Sequence, residues 1–436
     1  MGGELVTRRN LLGFALAAVF WAAPVQATTR AIVRVNGGAP VMQTICLLLG
    51  CNVAESIGDP LGQVFLVTST LADVTTLVTK LLAFTAVVDC EPDLLAKAAD
   101  SSYTIPSALT DSTPVSYFGS TVPQGYVSQP AIGIVRLYDA QTAFGVRGAG
   151  TVAVIDTGVD PNHPALQNVL LPGYDLTRNQ NGADETKDVT FSTPPTSGPP
   201  AWVSPNAVAD IEQSTVAVVD GNSAYSAFGH GTMVAGVIHL VAPGAKILPF
   251  KVFRADGTGY ASDILRAIYR AVQNYAAVIN MSFNLAAYST EVKNAVNYAN
   301  GHNVICVAAA GNSGEQTLVY PAALTNLVMG VASTTNDDEV SAFSNYGPQL
   351  VWIGAPGEGI ITTYPYGTYA AGWGTSFSTP FVAATAALLL QVSSQSDQYD
   401  AAQAIAHAQP INSSLGNGRL DTYQAVQAWR QMLGLQ

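Results

Sequence analysis

The chain has 436 residues, enough for two or three domains, with a formal net charge of −12, 48% hydrophobic and 11% charged residues. That apolar content excludes a disordered chain, and the acidity argues against a nucleic-acid partner, whose phosphates require a basic face. The acidity reads more simply as a solubility feature of an exported protein.

Residues 1–27 have the pattern of a signal peptide. Arg8 and Arg9 precede an apolar run from Leu11 to Ala23, and Val25-Gln26-Ala27 supplies small residues for cleavage. Thr7-Arg8-Arg9-Asn10-Leu11-Leu12 also fits a twin-arginine signal, with the ordinary secretory route equally open. Either route predicts a secreted or periplasmic protein. The apolar run is short for a bilayer, and no other segment offers about 20 uninterrupted apolar residues, so no stable membrane span is expected in the mature form.

Residues 28–95 predict a small separate α+β domain. Strand-like runs at 31–35, 52–56, Val64–Ser69 and 86–90 alternate with helix-spaced apolar residues at 39–49 and 71–84, giving a βαββαβ, ferredoxin-like order. Cys46, Cys51 and Cys90 lie here and Cys306 lies further on, without metal-ligand spacing. Export permits a Cys46–Cys51 bridge, and plain apolar packing accounts for all four equally well. Residues 96–130, rich in Ser, Thr, Pro and Gly, predict a linker or surface arm.

From 131 to the end a larger domain is expected. Strands at 151–155, 246–253, 278–283, 304–308 and 327–332 alternate with helices after His230, at 262–275 and at 291–299. That alternation predicts an α/β fold: a doubly wound, mostly parallel sheet with helices on both faces. In such sheets functional groups collect beyond the carboxyl ends of the strands. Residues 175–228, with Pro194-Pro195 and Pro199-Pro200, predict a surface insertion without a catalytic role.

Three separated runs carry chemistry. Ser376, in Gly374-Thr375-Ser376-Phe377-Ser378-Thr379-Pro380, heads an apolar helix, where a free N–H and the helix dipole favour an oxyanion. A neutral serine is a poor nucleophile and needs a base held in the right tautomer. His230, between Gly229 and Gly231 at a helix start, is the base; Asp156, closing the strand Val152-Ala153-Val154-Ile155, is the orienting carboxylate. The run Asp156-Thr157-Gly158 also suggests an aspartic protease, but no second such run exists to share a proton. An α/β-hydrolase would place its Asp and His after the serine, and glycine rather than Ser378 two residues beyond it.

The order Asp, His, Ser and the three local contexts resemble the subtilisin-like serine proteases, a likeness running over roughly residues 130 to 430. The resemblance implies peptide-bond hydrolysis through an acyl-enzyme, without a cofactor, on protein or peptide substrates. It implies that Asn312, in Ala310-Gly311-Asn312-Ser313-Gly314, donates its amide to the oxyanion. It implies that Gly257, Thr258 and Gly259 and, opposite them, Ser282, Phe283 and Asn284 pair with substrate backbone, and that Ala309, Ala310 and Gly311 wall the P1 pocket. It also implies that the N-terminal domain is a propeptide, serving as intramolecular inhibitor, with self-cleavage in the linker. Two departures matter. Asn284 and Val319 stand where glycine is common, which predicts a preference for small P1 residues. Ala165 replaces a calcium-ligating aspartate and Leu240-Val241-Ala242-Pro243 leaves no ligand loop, so the family's usual strong calcium site is expected to be absent and no other calcium site is placeable. The competing expectation is a catalytically blocked binding or scaffolding protein of the same fold.

Overall fold

The structure, a computed structural model, describes residues 29–71, 73–96, 106–189, 208–209 and 225–435. The predicted signal segment, residues 97–105 and most of the predicted insertion lie outside the described residues.

The N-terminal unit runs β1 (Thr29–Val35), α1 (Gly38–Leu49), β2 (Cys51–Ser56), β3 (Val64–Ser69), α2 (Val74–Leu82) and β4 (Val87–Pro92). Its antiparallel sheet has the order β2-β3-β1-β4, which is the ferredoxin-like topology. Helix α2 is shorter than its apolar spacing predicts, because Asp73 caps it by accepting from Thr76 N at 2.7 Å. Cys46 and Cys51 form a disulfide between the end of α1 and the start of β2, while Cys90 and Cys306 are free and buried.

The two-residue period of the strands divides the sheet between two cores. Ala31, Val33, Val35, Phe65 and Val67 face α1 and α2. Ile32, Val64 and Leu66 face the other way, into the core of the larger domain. A short β5 (Leu95–Ala96) follows β4.

The larger domain contains β6 (Thr151–Asp156), β7 (Tyr174–Asp175), β8 (Gln180–Asn181), α3 (His230–Val241), β9 (Lys246–Lys251), β10 (Gly259–Tyr260), α4 (Ala261–Gln273), β11 (Val278–Met281), α5 (Thr290–Asn300), β12 (Ile305–Ala309), β13 (Met329–Thr334), β14 (Ile353–Pro356) and α6 (Thr375–Val392). Its eight-stranded sheet has the order β8-β7-β9-β6-β11-β12-β13-β14 and is parallel except for the β7–β8 pair. The central strands are apolar throughout because helices cover both faces. One face packs on α3 and α6, the other on α4 and α5. Helix α6 is apolar and long enough to cross a membrane, but it is the buried central helix of this core.

Residues 106–130 correct the linker expectation. They form a 3-10 turn (Ser107–Thr110), a hairpin of Pro114–Tyr117 with Ser120–Pro123, and a short helix (Gln124–Ser128). The aromatic residues anchor this segment: Tyr117 and Tyr126 are buried, and their hydroxyls donate to Leu240 O and Gly236 O of α3 at 2.6 and 2.7 Å. Such isolated anchors leave no periodic trace in a polar sequence.

Candidate active site

Asp156 closes β6, the buried strand of Thr151–Asp156, and its carboxylate is nearly inaccessible. Burial of that charge requires donors. Oδ1 accepts from Thr157 N at 2.7 Å and from His230 Nδ1 at 2.6 Å. His230 opens α3 at 1% exposure, and its ring lies 5.4 Å from that of Phe377. With Nδ1–H given to Asp156, the other ring nitrogen is left with its lone pair. Nε2 is buried and has no hydrogen-bond partner, as has Asp156 Oδ2.

The glycines flanking these residues are there for close approach. A Cβ on Gly231 would lie 1.9 Å from Gly158 O, and one on Gly158, whose φ is +101°, would lie 2.5 Å from Ala183 O. The turn after Asp156 and the head of α3 therefore cross with no room for a side chain.

Ser376 is the second residue of α6 and is buried. Its Oγ donates to Ser282 O at 3.0 Å, and Ser282 Oγ donates to Ser376 O at 2.8 Å. The expected Ser376–His230 hydrogen bond is thus absent in this arrangement, and the hydroxyl proton must leave Ser282 to reach Nε2. Asn312 Oδ1 accepts from Thr375 N at 2.8 Å and from Thr375 Oγ1 at 2.7 Å. That fixes the amide so that Nδ2 lies 2.9 Å from where a Cβ on Gly374 would stand, beside the N-terminus of α6.

The predicted substrate residues border this centre. Ala309 ends β12, and Ala310 and Gly311 follow it, with Gly311 N donating to Thr375 Oγ1 at 3.1 Å. A Cβ on Gly311 would be 3.4 Å from both Asn284 Nδ2 and Val319 Cγ2, so the two departures from glycine converge on one point. Ser282 and Phe283 follow β11, and the Phe283 ring packs 5.2 Å from Phe253. Gly257 and Thr258 form the turn leading into β10, where Gly259 pairs antiparallel with Ala96 and Tyr260 with Leu95. The backbone expected to bind substrate is thus paired with the tail of the N-terminal unit.

That unit also covers the heads of α4 and α5. Asp93 Oδ1 accepts from Ser262 N at 2.9 Å, and Glu91 Oε2 accepts from Thr290 N at 3.0 Å. Carboxylates placed there complement the helix dipoles. Arg34 donates twice to Glu291, at 2.8 and 2.6 Å. Burial pushes the Glu91 carboxyl up to about 7.

Sequence reasoning missed Glu185. The start of the predicted insertion, 175–189, is not a free surface loop: it folds back so that Glu185 meets Thr157, Gly229 and Thr232. Glu185 is 1% exposed and accepts four hydrogen bonds. Thr157 Oγ1 and Gly229 N bond Oε2 at 2.8 and 2.9 Å; Thr232 N bonds Oε1 at 3.0 Å, and Thr232 Oγ1 also donates to Oε1. Burial pushes its carboxyl up to about 8, against the pull of those donors and of Lys251. Lys251, fully buried at the end of β9, gives its three N–H groups to Thr157 O, Asp188 Oδ2 and Phe253 O at 2.8, 2.6 and 2.6 Å. A lone Glu within Asp184-Glu185-Thr186-Lys187-Asp188 gives no sign of this before the loop is folded. Among the described residues no group of three or more His, Cys, Asp or Glu is arranged to hold a metal.

The sequence model of the Subtilase family matches residues 148–434. The chain belongs to the subtilase family. This subtilase is 32% identical to thermitase of Thermoactinomyces vulgaris over 317 residues, covering 69% of the chain and 98% of thermitase. It is 34% identical over 281 residues to the thermophilic serine proteinase of Bacillus sp. strain AK1, covering 63% of the chain and 61% of that enzyme. It is 38% identical over 210 residues to subtilisin BL of Lederbergia lenta, covering 46% and 74%. As a subtilase with these relatives it is a serine peptidase.

Proposed function

We propose that this subtilase is an exported endopeptidase made as a self-processing zymogen, in which Ser376, His230 and Asp156 form the catalytic triad. Ser376 Oγ attacks the scissile carbonyl, and His230 Nε2 takes its proton and later gives it to the leaving amine. Asp156 holds the imidazole tautomer and offsets the charge of the imidazolium. Asn312 Nδ2 and the Ser376 backbone N–H hold the oxyanion, and no cofactor enters the reaction. The 2.6 Å contact between His230 Nδ1 and Asp156, with Nε2 left unpartnered, carries this reading.

Residues 28–95 are the propeptide. Their role as intramolecular inhibitor draws on the antiparallel pairing of Leu95–Ala96 with Gly259–Tyr260, which occupies the substrate edge. Asn284 and Val319, converging on Gly311, narrow the P1 pocket toward small side chains. The bond of Ser376 Oγ to Ser282 O favours a second reading, a blocked protease fold that binds without cleaving.

Purified full-length protein tests the proposal. The wild type is expected to shorten by a cut within residues 96–130, and Ser376→Ala to keep its full length, as read by intact mass and N-terminal sequencing. Identical shortening of both, or no shortening of the wild type together with no cleavage of casein, refutes it.

A further inference from the structure

Glu185 gathers donors from both sides of the Asp156–His230 contact. Thr157 follows Asp156; Gly229 and Thr232 flank His230. Thr157 Oγ1 accepts from Gly231 N at 2.9 Å, so its one proton is free for Glu185. Thr232 Oγ1 accepts from Asp160 N at 2.8 Å and likewise turns its proton to Glu185. With two backbone N–H groups added, four donors and no acceptor face the carboxyl group; a protonated acid would find no acceptor for its own proton, so this geometry holds the group ionised against the upward push of burial. The site is buried, at the head of a twelve-residue helix, and the Lys251 ammonium grips the carbonyl of the same Thr157.

We propose that Glu185 is a positioning residue for peptide-bond hydrolysis: its carboxylate clamps the turn after Asp156 to the first turn of α3 and so holds His230 Nδ1 on Asp156. The proposal rests on the triad reading above. Loss of the carboxylate leaves buried N–H and O–H donors unpaired on both elements that carry the relay. These elements relax separately, and the imidazole loses its alignment with the Ser376 hydroxyl. Glu185 is not among the residues bordering the substrate track, so substrate binding is little affected. Misplacement of a reacting group by about 1 Å costs on the order of 100-fold in rate.

The test uses full-length Glu185→Gln, which keeps the shape and removes the charge, and Glu185→Asp, which keeps the charge on a shorter arm. Val426→Ala, at a buried position of the helix Thr422–Met432 that makes none of the contacts to Glu185, serves as a control of matched thermal stability. Fluorophosphonate labelling rates, kcat and KM on a peptide substrate, and the downfield proton resonance of His230 Nδ1 are measured on folded samples. We expect Glu185→Gln to lose about 10- to 100-fold in both labelling rate and kcat. KM should stay within about threefold, the resonance should shift or broaden, and Glu185→Asp should recover part of the loss. If Glu185→Gln does not fold, the same comparison is made with Glu185→Asp. A folded variant labelled at the wild-type rate with an unmoved resonance overturns the proposal, as does an equal loss in Val426→Ala. An unlabelled wild type would instead take down the triad reading, and this proposal with it.

Discussion

Replacing Val319 by glycine should widen the P1 pocket. The Val319 Cγ2 atom stands 3.4 Å from the point a Cβ on Gly311 would occupy, and the side chain is 8% exposed, so its three carbons fill space facing the pocket wall. A P1 phenylalanine that takes over this volume gains about 0.8 kcal/mol per buried carbon, roughly 2.4 kcal/mol in all. At 1.4 kcal/mol per decade that is a shift of roughly 50-fold in selectivity. The assay is kcat/KM for two peptides differing only in alanine or phenylalanine at P1, with folding checked by thermal melting. The wild type should favour alanine, and Val319→Gly should move the ratio toward phenylalanine by about that factor, with Asn284→Gly adding to it. A ratio that moves less than about threefold in a folded variant would refute the idea that these side chains limit the pocket.

Asn312→Ala should lower kcat by about 100- to 1000-fold with little change in KM, the loss that follows removal of one oxyanion-hole donor in subtilisin. His239 is buried in α3 with neither ring nitrogen bonded, and burial pulls it from 6.5 down to about 4. The unfolded chain therefore binds more protons between these values, so the neutral ring's contribution, roughly 3 kcal/mol, is present above pH 6.5 and lost as pH falls toward 4. His239→Leu should flatten that part of the stability curve in urea melts at pH 4.5 and 7. Glu91, raised to about 7 from 4.5, binds its proton more tightly when the N-terminal unit is docked. Docking should accordingly weaken as pH rises through 4.5 to 7, and Glu91→Gln should remove the dependence when protease resistance of residues 29–96 is followed in Ser376→Ala.

The candidate site was legible because its residues sit in short runs whose surroundings are dictated locally. Asp156 ends an apolar strand, His230 lies between Gly229, pressed against the Tyr364 ring, and Gly231, pressed against Gly158, and Ser376 heads a buried helix. The strand-like runs 31–35 and Val64–Ser69 were legible too, mostly apolar on both faces because each face enters a different core. What the sequence hid depends on long-range closure. Glu185 becomes a buried acceptor only when its loop returns to Thr157 and Thr232. Tyr117 and Tyr126 become anchors only once α3 presents the carbonyls of Leu240 and Gly236 to them. The strand Leu95–Ala96 exists only against Gly259–Tyr260, and no local propensity marks it.

The proposed function requires Asp156, His230 and Ser376 to act as one relay. Its most direct test is intact-mass analysis after fluorophosphonate treatment of the processed wild type, Ser376→Ala and His230→Ala. One adduct on the wild type, mapped to Ser376, with none on Ser376→Ala and only slow labelling of His230→Ala, is the expected result. Labelling of His230→Ala at the wild-type rate, or an adduct that persists in Ser376→Ala, would contradict it.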